Sequence, residues 1–516
     1  MQSLWLDGRR PIPTHPFMAD EEYDDVVVGA GITGLSTALM LAEAGRHVVV
    51  LEAREIGALA TGNTTGKISL LQGSRLSTIR AHHSRRIVQA YVDSNRDGQE
   101  WLLDFCERAG APVQRRTAYS YAQHRAGAAD VEAEYRAARE AGLPVSLVER
   151  ADVPFPFAFG VALAEQAQFD PMDALDALAR ELIAAGGTIH TRVRVTGVRA
   201  SSPALVTTSA GEVRGRTVVL ATATPILDRG LYFAKTHGQR SYGMALELRD
   251  AGPGDLPEGM FLSIGDSSHS RSVRTAPRDG HDLLVIGGNG HEVGRPGAES
   301  EAELVDDLRD WGQTFFPGAR MTHAWSAQDY ESHNLIPFVG ALPRGRGRIY
   351  LATGYAKWGM TNAVAAGIRI CAEIFGDPWR ERRHWHQVLG SRATRPADLA
   401  RGARAGVQVG AAALSGWLGA EGESTPIARP GEGEGVVANA KGRPVGISTV
   451  DGTTCAVSAV CTHLGGVLHW NDAERSWDCP LHASRFAADG TRLEGPALAD
   501  LERMPRRTHP PRIAGT

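Results

Sequence analysis

The sequence predicts an α/β fold built on a parallel sheet, followed by a small all-β domain. Residues 24–52 read as a buried strand, a glycine-rich turn, a helix and a second buried strand, which is the length that a parallel crossover requires. Residues 348–376 show strand, glycine loop and helix again, and short strands alternate with turns from Gly435 onward. We therefore expect two differently built parts in one chain.

The composition excludes several protein classes. A chain of 516 residues is long enough for two to four domains, and a formal net charge of -4 removes the electrostatic case for nucleic acid as a partner. Five cysteines form a sparse, odd set, which argues for a reducing compartment, and no export signal opens the chain, so we expect a cytoplasmic protein. The apolar run 409–420 is shorter than the roughly 20 residues that cross a membrane, so no transmembrane segment is expected.

The remaining elements follow from local patterns. A polar arm (1–22) precedes the first strand, and Gly45 ends the first helix. The other segments are a charged helical region over 77–141, a helix over 173–185, a buried strand over 218–222, alternating strands of a separate lobe between 228 and 322, and Ala-, Gly-, Pro- and Glu-rich linker sequence at 392–408 and 421–435.

The glycine turn has the full context of a Rossmann-type dinucleotide site. Gly29 makes the tight turn, Gly31 lets the backbone approach a pyrophosphate, and Gly34 lets the helix pack closely on the strand. The helix N-terminus supplies amide dipoles for the phosphates. Glu52, at the end of the second strand, is placed to accept hydrogen bonds from a ribose diol, and its charge disfavours a 2'-phosphate.

Three further stretches resemble the glycine/D-amino-acid oxidase (DAO) family of FAD enzymes. They are Thr61-Gly62-Asn63-Thr64-Thr65-Gly66-Lys67, Trp325-Ser326-Ala327-Gln328-Asp329-Tyr330, and Ala352-Thr353-Gly354-Tyr355-Ala356-Lys357-Trp358-Gly359-Met360-Thr361. The resemblance covers residues 20–380 in order and type. It implies a Rossmann-type FAD domain interleaved with an α+β substrate domain, with FAD held by about 23–76, 150–227 and 323–380, and a substrate lobe of about 77–149 and 228–322.

The resemblance also implies roles for single residues. Val193 would lie on the adenine side, Ala221 beside the ring system, and the late glycine loop against the isoalloxazine. The further cofactor-binding candidates are Arg54, Thr65, Lys67, Gly354, Gly359 and Met360. Lys357 would place a positive charge at the flavin edge where negative charge develops on reduction. No cysteine or histidine stands in the 57–69 loop, so noncovalent FAD is expected, with Cys371 left as an open alternative.

Two cysteine–histidine pairs near the C-terminus predict a metal centre. Cys461-Thr462-His463 and Cys479-Pro480-Leu481-His482 stand fifteen residues apart, measured between His463 and Cys479. The pattern resembles the Rieske 2Fe-2S family, in which two thiolates hold one iron and two imidazoles hold the other. Two such pairs also suit zinc, but the neighbouring Leu-Gly-Gly, Pro480 and Ser484 favour the cluster. A linker with short helices (381–432) would precede this Rieske domain (433–516).

The departures from the respiratory Rieske pattern predict a modest potential. Gly466 and Leu481 replace the two cysteines that form a disulfide in those members, and Phe486 replaces a tyrosine that donates to a ligand sulfur. Losing a donor destabilises the reduced cluster, so we expect a low-to-middle value within the roughly -150 to +300 mV Rieske range. Ala483 replaces a usual glycine.

The two sites together predict a flavoenzyme with an internal electron relay. A flavin takes two electrons as a hydride and the cluster carries one, so oxidation of an amine or amino-acid C–N bond would feed single electrons to an external acceptor such as ferredoxin, quinone or O2. In the substrate lobe, Arg274 is placed to hold a carboxylate and His291 to orient substrate or accept a proton. The alternatives are an electron-transfer component serving a partner enzyme, an O2-dependent oxidase with an auxiliary Rieske domain, and a redox-sensing module.

Overall fold

The computed structural model describes residues 1–227, 229–248, 255–265, 270–278, 280–295, 297–376, 383–390, 429–440 and 442–504. The chain divides into two compact units. The first unit contains Met1–His291 and Leu304–Gly402, and the second contains Glu292–Glu303 and Ala403–Thr516.

The strands and helices of residues 1–390 belong to the first unit, except that Glu292 and Glu301–Glu303, at the ends of two of them, belong to the second unit. The strands are β1 (Glu22–Val28), β2 (Val48–Leu51), β3 (Lys67–Ile68), β4 (Val113–Ala122), β5 (Ser146–Val148), β6 (Phe159–Phe169), β7 (Thr188–His190), β8 (Val195–Arg199), β9 (Ala204–Thr208), β10 (Gly211–Leu220), β11 (Thr236–Glu247), β12 (Gly259–Ser263), β13 (Arg271–Arg278), β14 (His281–Glu292), β15 (Arg320–Ser332), β16 (Phe338–Ala341) and β17 (Ile349–Thr353). The helices are α1 (Ile32–Glu43), α2 (Arg75–His82), α3 (Arg85–Ala109), α4 (Ala128–Glu140), α5 (Pro171–Ala184), α6 (Glu301–Phe315), α7 (Gly359–Phe375) and α8 (His384–Gly390), with short 3-10 helices at Arg125–Gly127 and Tyr232–Ala234.

The first sheet is the parallel sheet that the sequence predicts. Its strand order is β16-β17-β10-β1-β2-β7, with β9 and β8 added beside β10. β1 pairs in parallel with β2 and β10, and β10 pairs in parallel with β17. Strands of such a sheet are buried on both faces. Accordingly Val26, Val27, Val49 and Val50 have no exposed surface.

The second sheet collects strands from two distant parts of the sequence. Its order is β15-β11-β14-β13-β12-β4-β6-β3, with β5 beside β6. β4 interrupts the 77–141 region that the sequence predicts as helical. β6 and β15 also join this sheet, although the domain ranges expected from the sequence assign 150–227 and 323–380 to the FAD-binding part. Alternating apolar residues identify a strand but do not reveal which sheet it joins.

The N-terminal residues are packed rather than an extended polar arm. Leu4 and Trp5 are only 1% and 2% exposed. The Trp5 indole donates to the Thr64 carbonyl at 2.6 Å, and the Ser3 hydroxyl donates to the Gly62 carbonyl at 2.6 Å. Because these partners lie in the 57–69 loop, the start of the chain braces that loop.

The second unit is built from short antiparallel strands. They are β18 (Gly435–Asn439), β19 (Pro444–Val450), β20 (Thr453–Ser458), β21 (His469–Asn471), β22 (Ser476–Asp478), β23 (Arg485–Ala487) and β24 (Arg492–Glu494). β18–β20 form one sheet and β21–β24 another. Trp477 and Phe486, which face each other across β22 and β23, are fully buried in its core.

The predicted linker and the apolar run within it lie mostly outside the described residues. α8 is the described helix of the 381–432 region, and residues 391–428 are not described. Among the described residues, no helix combines the length and the apolar character needed to cross a membrane.

Candidate functional site

The glycine turn after β1 is a place where side chains do not fit. Gly29 has φ +106°, and a Cβ there would lie 2.5 Å from the Ala221 carbonyl oxygen. A Cβ on Gly34 would lie 1.8 Å from the Gly29 carbonyl oxygen, and one on Gly31 would lie 3.1 Å from Thr61 Oγ1. The turn therefore keeps its backbone bare beside the N-terminus of α1, as a pyrophosphate requires.

Glu52 is fixed at the end of β2 by backbone amides. Its Oε2 accepts from the Ala30 N–H and its Oε1 from the Arg54 N–H, both at 2.8 Å. Burial raises the pKa of Glu52, and the two amides oppose that rise. The Val193 N–H donates to the Glu52 carbonyl at 2.9 Å. Glu52, Arg54 and Val193 thus lie together at one end of the parallel sheet, where a ribose and adenine would bind.

Helices α1 and α7, like α2, α3 and α4, begin without a side-chain cap. α1 begins after Gly31 and α7 begins after Trp358, and neither of these residues makes a side-chain cap hydrogen bond. Neither first turn contains an acidic residue. Their N-terminal amides are suited to negative charge, on phosphate at α1 and on the flavin edge at α7.

Lys67 lies in the interior, beside the second sheet. Its Nζ contacts Thr65 Oγ1 at 3.2 Å and hydrogen-bonds to Ser272 Oγ on β13. Burial, together with the nearby Arg274 guanidinium, lowers the pKa of Lys67 to about 7. Thr65 also borders β14, because a Cβ on Gly287 would lie 3.4 Å from its Cγ2. The 57–69 loop therefore leads from the nucleotide turn to the second sheet.

The late glycine loop adopts an unusual backbone. Gly354, Ala356 and Lys357 have φ of +86°, +51° and +70°. The Lys357 N–H donates to Asp329 Oδ2 at 2.5 Å, and the Ala356 N–H donates to the Tyr330 carbonyl at 3.0 Å. Left-handed conformation in residues other than glycine is unfavourable, so the bonds from β15 stabilise a conformation that the loop would not adopt alone.

This loop joins the nucleotide turn to the substrate sheet. Tyr355 Oη lies 3.1 Å from Thr33 Oγ1 in the first turn of α1. On the other side, a Cβ on Gly290 of β14 would lie 2.4 Å from Lys357 Nζ and 3.2 Å from Ser241 Oγ. Gly359 and Met360 begin α7 directly after the loop. Lys357, although exposed, thus extends over the bare backbone of β14.

Arg274 and His291 occupy different environments. Both terminal nitrogens of Arg274 donate to backbone carbonyls, of Gly66 at 2.7 Å and Phe169 at 3.1 Å, and the guanidinium lies over the Trp5 ring. Its contacts are those of a buried structural arginine, so its role toward a substrate carboxylate stays a prediction. His291, half-buried at the end of β14, stacks on Tyr242 with ring centroids 5.6 Å apart.

Cys371 packs between two helices. It is 5% exposed, and its thiol contacts the Thr37 carbonyl of α1 at 3.8 Å. Burial raises its pKa, which keeps it a thiol and therefore a poor nucleophile toward a flavin. This environment supports the expectation of noncovalent FAD.

The first pair of predicted cluster ligands lies on a tight loop of the second unit. The Cys461 N–H donates to the Gly466 carbonyl at 2.8 Å and the Gly465 N–H donates to the Cys461 carbonyl at 3.1 Å. The Cys461 sulfur accepts from the amides of His463 and Leu464 and from the Ser484 hydroxyl. Donors aimed at a sulfur are what a cluster thiolate needs.

The second loop faces the first. The Cys479 sulfur hydrogen-bonds with that of Cys461 and accepts from the amides of Leu481 and His482. The His463 and His482 rings lie with centroids 5.1 Å apart and planes at 81°. A Cβ on Gly466 would lie 2.6 Å from Leu481 Cγ, so the two loops are in close contact.

The four predicted ligands are grouped by type. The two cysteine sulfurs hydrogen-bond with each other, and the two imidazole rings are neighbours. Each iron of a Rieske cluster takes one such pair.

The comparisons with known proteins agree with this geometry. The family model described as FAD dependent oxidoreductase matches residues 24–373. The chain belongs to this family of FAD-dependent oxidoreductases. A second family model, the Rieske [2Fe-2S] domain, matches residues 423–505. The predicted fold, the FAD cofactor and the 2Fe-2S cluster are thereby confirmed for this oxidoreductase.

One relative shares the whole arrangement. The putative Rieske 2Fe-2S iron-sulfur protein YhfW of Bacillus subtilis is 28% identical over 507 residues, covering 96% of both chains. Glycine oxidase from Geobacillus kaustophilus superposes with a TM-score of 0.55 at 19% identity, covering 69% of this chain and 95% of its own. L-proline dehydrogenase from P. horikoshii superposes with a TM-score of 0.55 at 17% identity, covering 72% of this chain and 100% of its own. These two structures share the fold of the oxidoreductase.

The structure adds contacts at the nucleotide turn and the late loop that the sequence interpretation did not assign. Thr61 Oγ1 accepts from the Ile32 N–H at 3.2 Å, and Trp5 and Tyr355 brace the loops around the nucleotide turn. Asp329 fixes the late loop of the oxidoreductase. Thr61, Tyr355 and Asp329 stand inside the quoted motifs, whereas no local signal marks Trp5.

The second cluster loop has one strained residue. Ala483 has φ +63°, in the region that glycine occupies at little cost. Its N–H donates to the Cys479 carbonyl at 3.0 Å, so the loop keeps its turn despite the substitution. Ser484 accepts from the Ala497 N–H at 3.0 Å, which leaves its hydroxyl hydrogen for the Cys461 sulfur.

Proposed function

We propose that this oxidoreductase oxidises the C–N bond of an amine or amino acid and delivers the electrons one at a time, through its Rieske cluster, to an external acceptor. The observation that carries the proposal is the presence, in one chain, of a complete dinucleotide turn and of two cluster loops with all four ligands in place. When bound, FAD accepts a hydride and the cluster carries single electrons.

The substrate class rests on the surroundings of β14 and on the named structural neighbours. Glycine oxidase and L-proline dehydrogenase share this fold, and their names refer to amino acids. Lys357 extends over Gly290 of β14, so a cationic group lies at the sheet that would face a carboxylate substrate. Lys357, Arg274 and His291 remain the proposed catalytic group.

The reaction balances with water as the second reactant. The substrate C–H bond would break with transfer of a hydride to FAD, the nitrogen loses a proton, and the resulting imine takes up water to give a carbonyl compound and ammonia or an amine. The two electrons would leave through the cluster in single steps to ferredoxin, a quinone or O2, and the accompanying protons go to solvent.

An anaerobic substrate panel tests this function. The purified protein is mixed with amines and amino acids while flavin absorbance and the EPR signal of the cluster are followed. We expect one substrate class to bleach the flavin and then to produce the reduced-cluster signal. A panel in which no C–N compound bleaches the flavin, while dithionite does, would contradict the substrate class.

Two cysteine variants separate the relay from the oxidation. Cys461→Ser removes a ligand, whereas Cys455→Ser changes a half-buried cysteine on β20. We expect Cys461→Ser to retain flavin bleaching and to lose turnover with one-electron acceptors, and Cys455→Ser to retain both. Equal turnover of Cys461→Ser and the native chain, with O2 as the working acceptor, would instead establish an oxidase with an auxiliary cluster.

A further inference from the structure

Residues Glu292–Glu303 form a strap that belongs to the second unit although about a hundred residues separate them from the rest of it. Val293 and Gly294 are buried, and the segment is described except at residue 296. The strap contacts the rest of this unit beside the second cluster loop and beside β21.

The first contact lies on the backbone between two predicted cluster ligands. Gly294 has φ +66°, and a Cβ there would lie 2.8 Å from the Pro480 nitrogen and 2.9 Å from the Cys479 carbonyl carbon. Arg295 Nε donates to the Pro480 carbonyl at 2.9 Å. Only glycine fits so close to this loop, and the guanidinium holds the carbonyl that precedes Leu481 and His482.

The second contact anchors the other end of the strap. Glu301, 3% exposed, approaches His469 Nε2 of β21 at 3.2 Å. The Ala302 N–H donates to Asp472 Oδ1 at 2.8 Å. Burial lowers the pKa of His469, but the hydrogen bond to the Glu301 carboxylate and its negative charge have the larger combined effect, so the pKa is raised. The strap is therefore attached on both sides of the residue that is not described.

The charges at the first contact form a balanced pair. Arg295 Nη1 makes an ion pair with Glu292, and the two side chains are 20% and 38% exposed. A positive charge near a cluster favours its more negative, reduced state, and a negative charge favours the oxidised state. Since neither group is fully exposed, solvent and salt screen this effect only in part.

We propose that the strap is a positioning element of the Rieske centre: Gly294 fixes the backbone of the second cluster loop, and the Arg295–Glu292 pair tunes the reduction potential. The proposal depends on the cluster and is independent of the substrate. It also means that a fragment beginning at Ala403 lacks part of the Rieske unit.

Potentiometry on full-length variants tests the charge pair. EPR-monitored redox titration should give a lower midpoint potential for Arg295→Gln, a higher one for Glu292→Gln, and a nearly native one for Arg295→Lys, which retains the charge. Arg309→Gln, at a partly exposed arginine of α6 in the first unit, is the matched control and should not shift the potential. Equal potentials in all five proteins would overturn the tuning role.

Gly294→Val tests the positioning role. We expect altered EPR g-values or a loss of iron relative to the control, with the FAD content unchanged. Gly297→Val, at an exposed strap glycine with open space around its Cα, should retain the native EPR spectrum. A native spectrum and full iron content in Gly294→Val would show that the strap does not position the loop. If Arg295→Gln fails to assemble the cluster, Glu292→Gln and Arg295→Lys still decide the charge question.

Discussion

The carboxylate of Glu52 is buried at the end of β2 and accepts two backbone amides, those of Ala30 and Arg54. These bonds orient both oxygens while leaving each oxygen a further lone pair for a ribose hydroxyl. A neutral amide cannot replace this arrangement, because its NH2 group would face one of the backbone N–H donors.

Glu52→Gln should therefore weaken FAD binding. Replacing the carboxylate weakens its hydrogen bond to the ribose, and loss of a hydrogen bond to a charged group costs about 1.5–3 kcal/mol, which corresponds to roughly 10- to 150-fold in affinity. The measurement is FAD titration of the deflavinated protein, with Glu55→Gln as control because Glu55 is exposed and pairs with Arg192. Equal affinity of Glu52→Gln and the native chain would show that this acid does not hold the ribose.

Glu134 is a buried acid that the proposed reaction does not use. Its oxygens accept from the amides of Leu76 and Ser77 at the start of α2, at 3.1 and 2.7 Å. Burial raises the pKa of Glu134 to about 7, against these hydrogen bonds and the Arg75 charge. The folded chain thus holds a proton that the unfolded chain releases near pH 4.5.

Stability should depend on pH through this carboxyl. Because its pKa is raised in the folded chain, the Glu134 carboxyl makes its full contribution to the free energy of unfolding below about pH 4.5. This contribution is lost as the pH rises to about 7, by an amount of order 3 kcal/mol. Urea unfolding should show the native chain losing its advantage over Glu134→Gln between about pH 4.5 and 7. Glu132→Gln, on the exposed side of α4, should show no such trend. A pH-independent difference for Glu134→Gln would contradict the assignment.

At the scale of elements, the late glycine loop depends on its neighbour β15. Asp329 Oδ2 accepts from the Lys357 N–H, and burial raises the pKa of Asp329 to about 6 while the Lys357 charge opposes the rise. If this loop borders the flavin ring, its conformation should be visible in the cofactor.

Asp329→Ala should shift the visible spectrum and the midpoint potential of the bound flavin, because the left-handed residues Ala356 and Lys357 lose a supporting bond. Asp329→Asn retains an acceptor oxygen and should largely restore the native values. Absorbance spectroscopy and potentiometry measure both. Identical flavin properties in the native and Asp329→Ala proteins would place the loop away from the ring.

Elements with local signals were predictable from the sequence, and elements defined by distant partners were not. The first strand predicted within 24–52, the helix at 173–185 and the helix predicted within 348–376 correspond to β1, α5 and α7, because periodicity, caps and glycines are local signals. β4 was missed inside a charged region, and the burial of Trp5 and the strap position depend on contacts between residues that stand 59 and 185 positions apart.

The candidate sites divide in the same way. The glycine turn and the cluster loops were predictable because each ligand set stands within a few residues of its partners. Arg274 was chosen for its charge, but the sequence does not show that the carbonyls of Gly66 and Phe169 occupy its terminal nitrogens. A site whose residues come from separate strands is identified from the three-dimensional structure and not from the sequence alone.

At the scale of the whole molecule, we expect one chain to store electrons at two different centres, the flavin and the cluster. A flavin holds two and a 2Fe-2S cluster holds one, so the fully reduced protein holds three. A protein whose cluster is not connected to the flavin would take up only the flavin's two electrons from an organic substrate.

The most direct test is therefore an anaerobic titration of the purified protein with the substrate that the panel identifies, with flavin absorbance and cluster EPR recorded at each addition. We expect an endpoint at about 1.5 substrate equivalents per chain, with both centres reduced, and about 1 equivalent for Cys461→Ser. An endpoint at about 1 equivalent in the native protein, with the cluster still oxidised but reducible by dithionite, would contradict electron transfer from the flavin to the cluster.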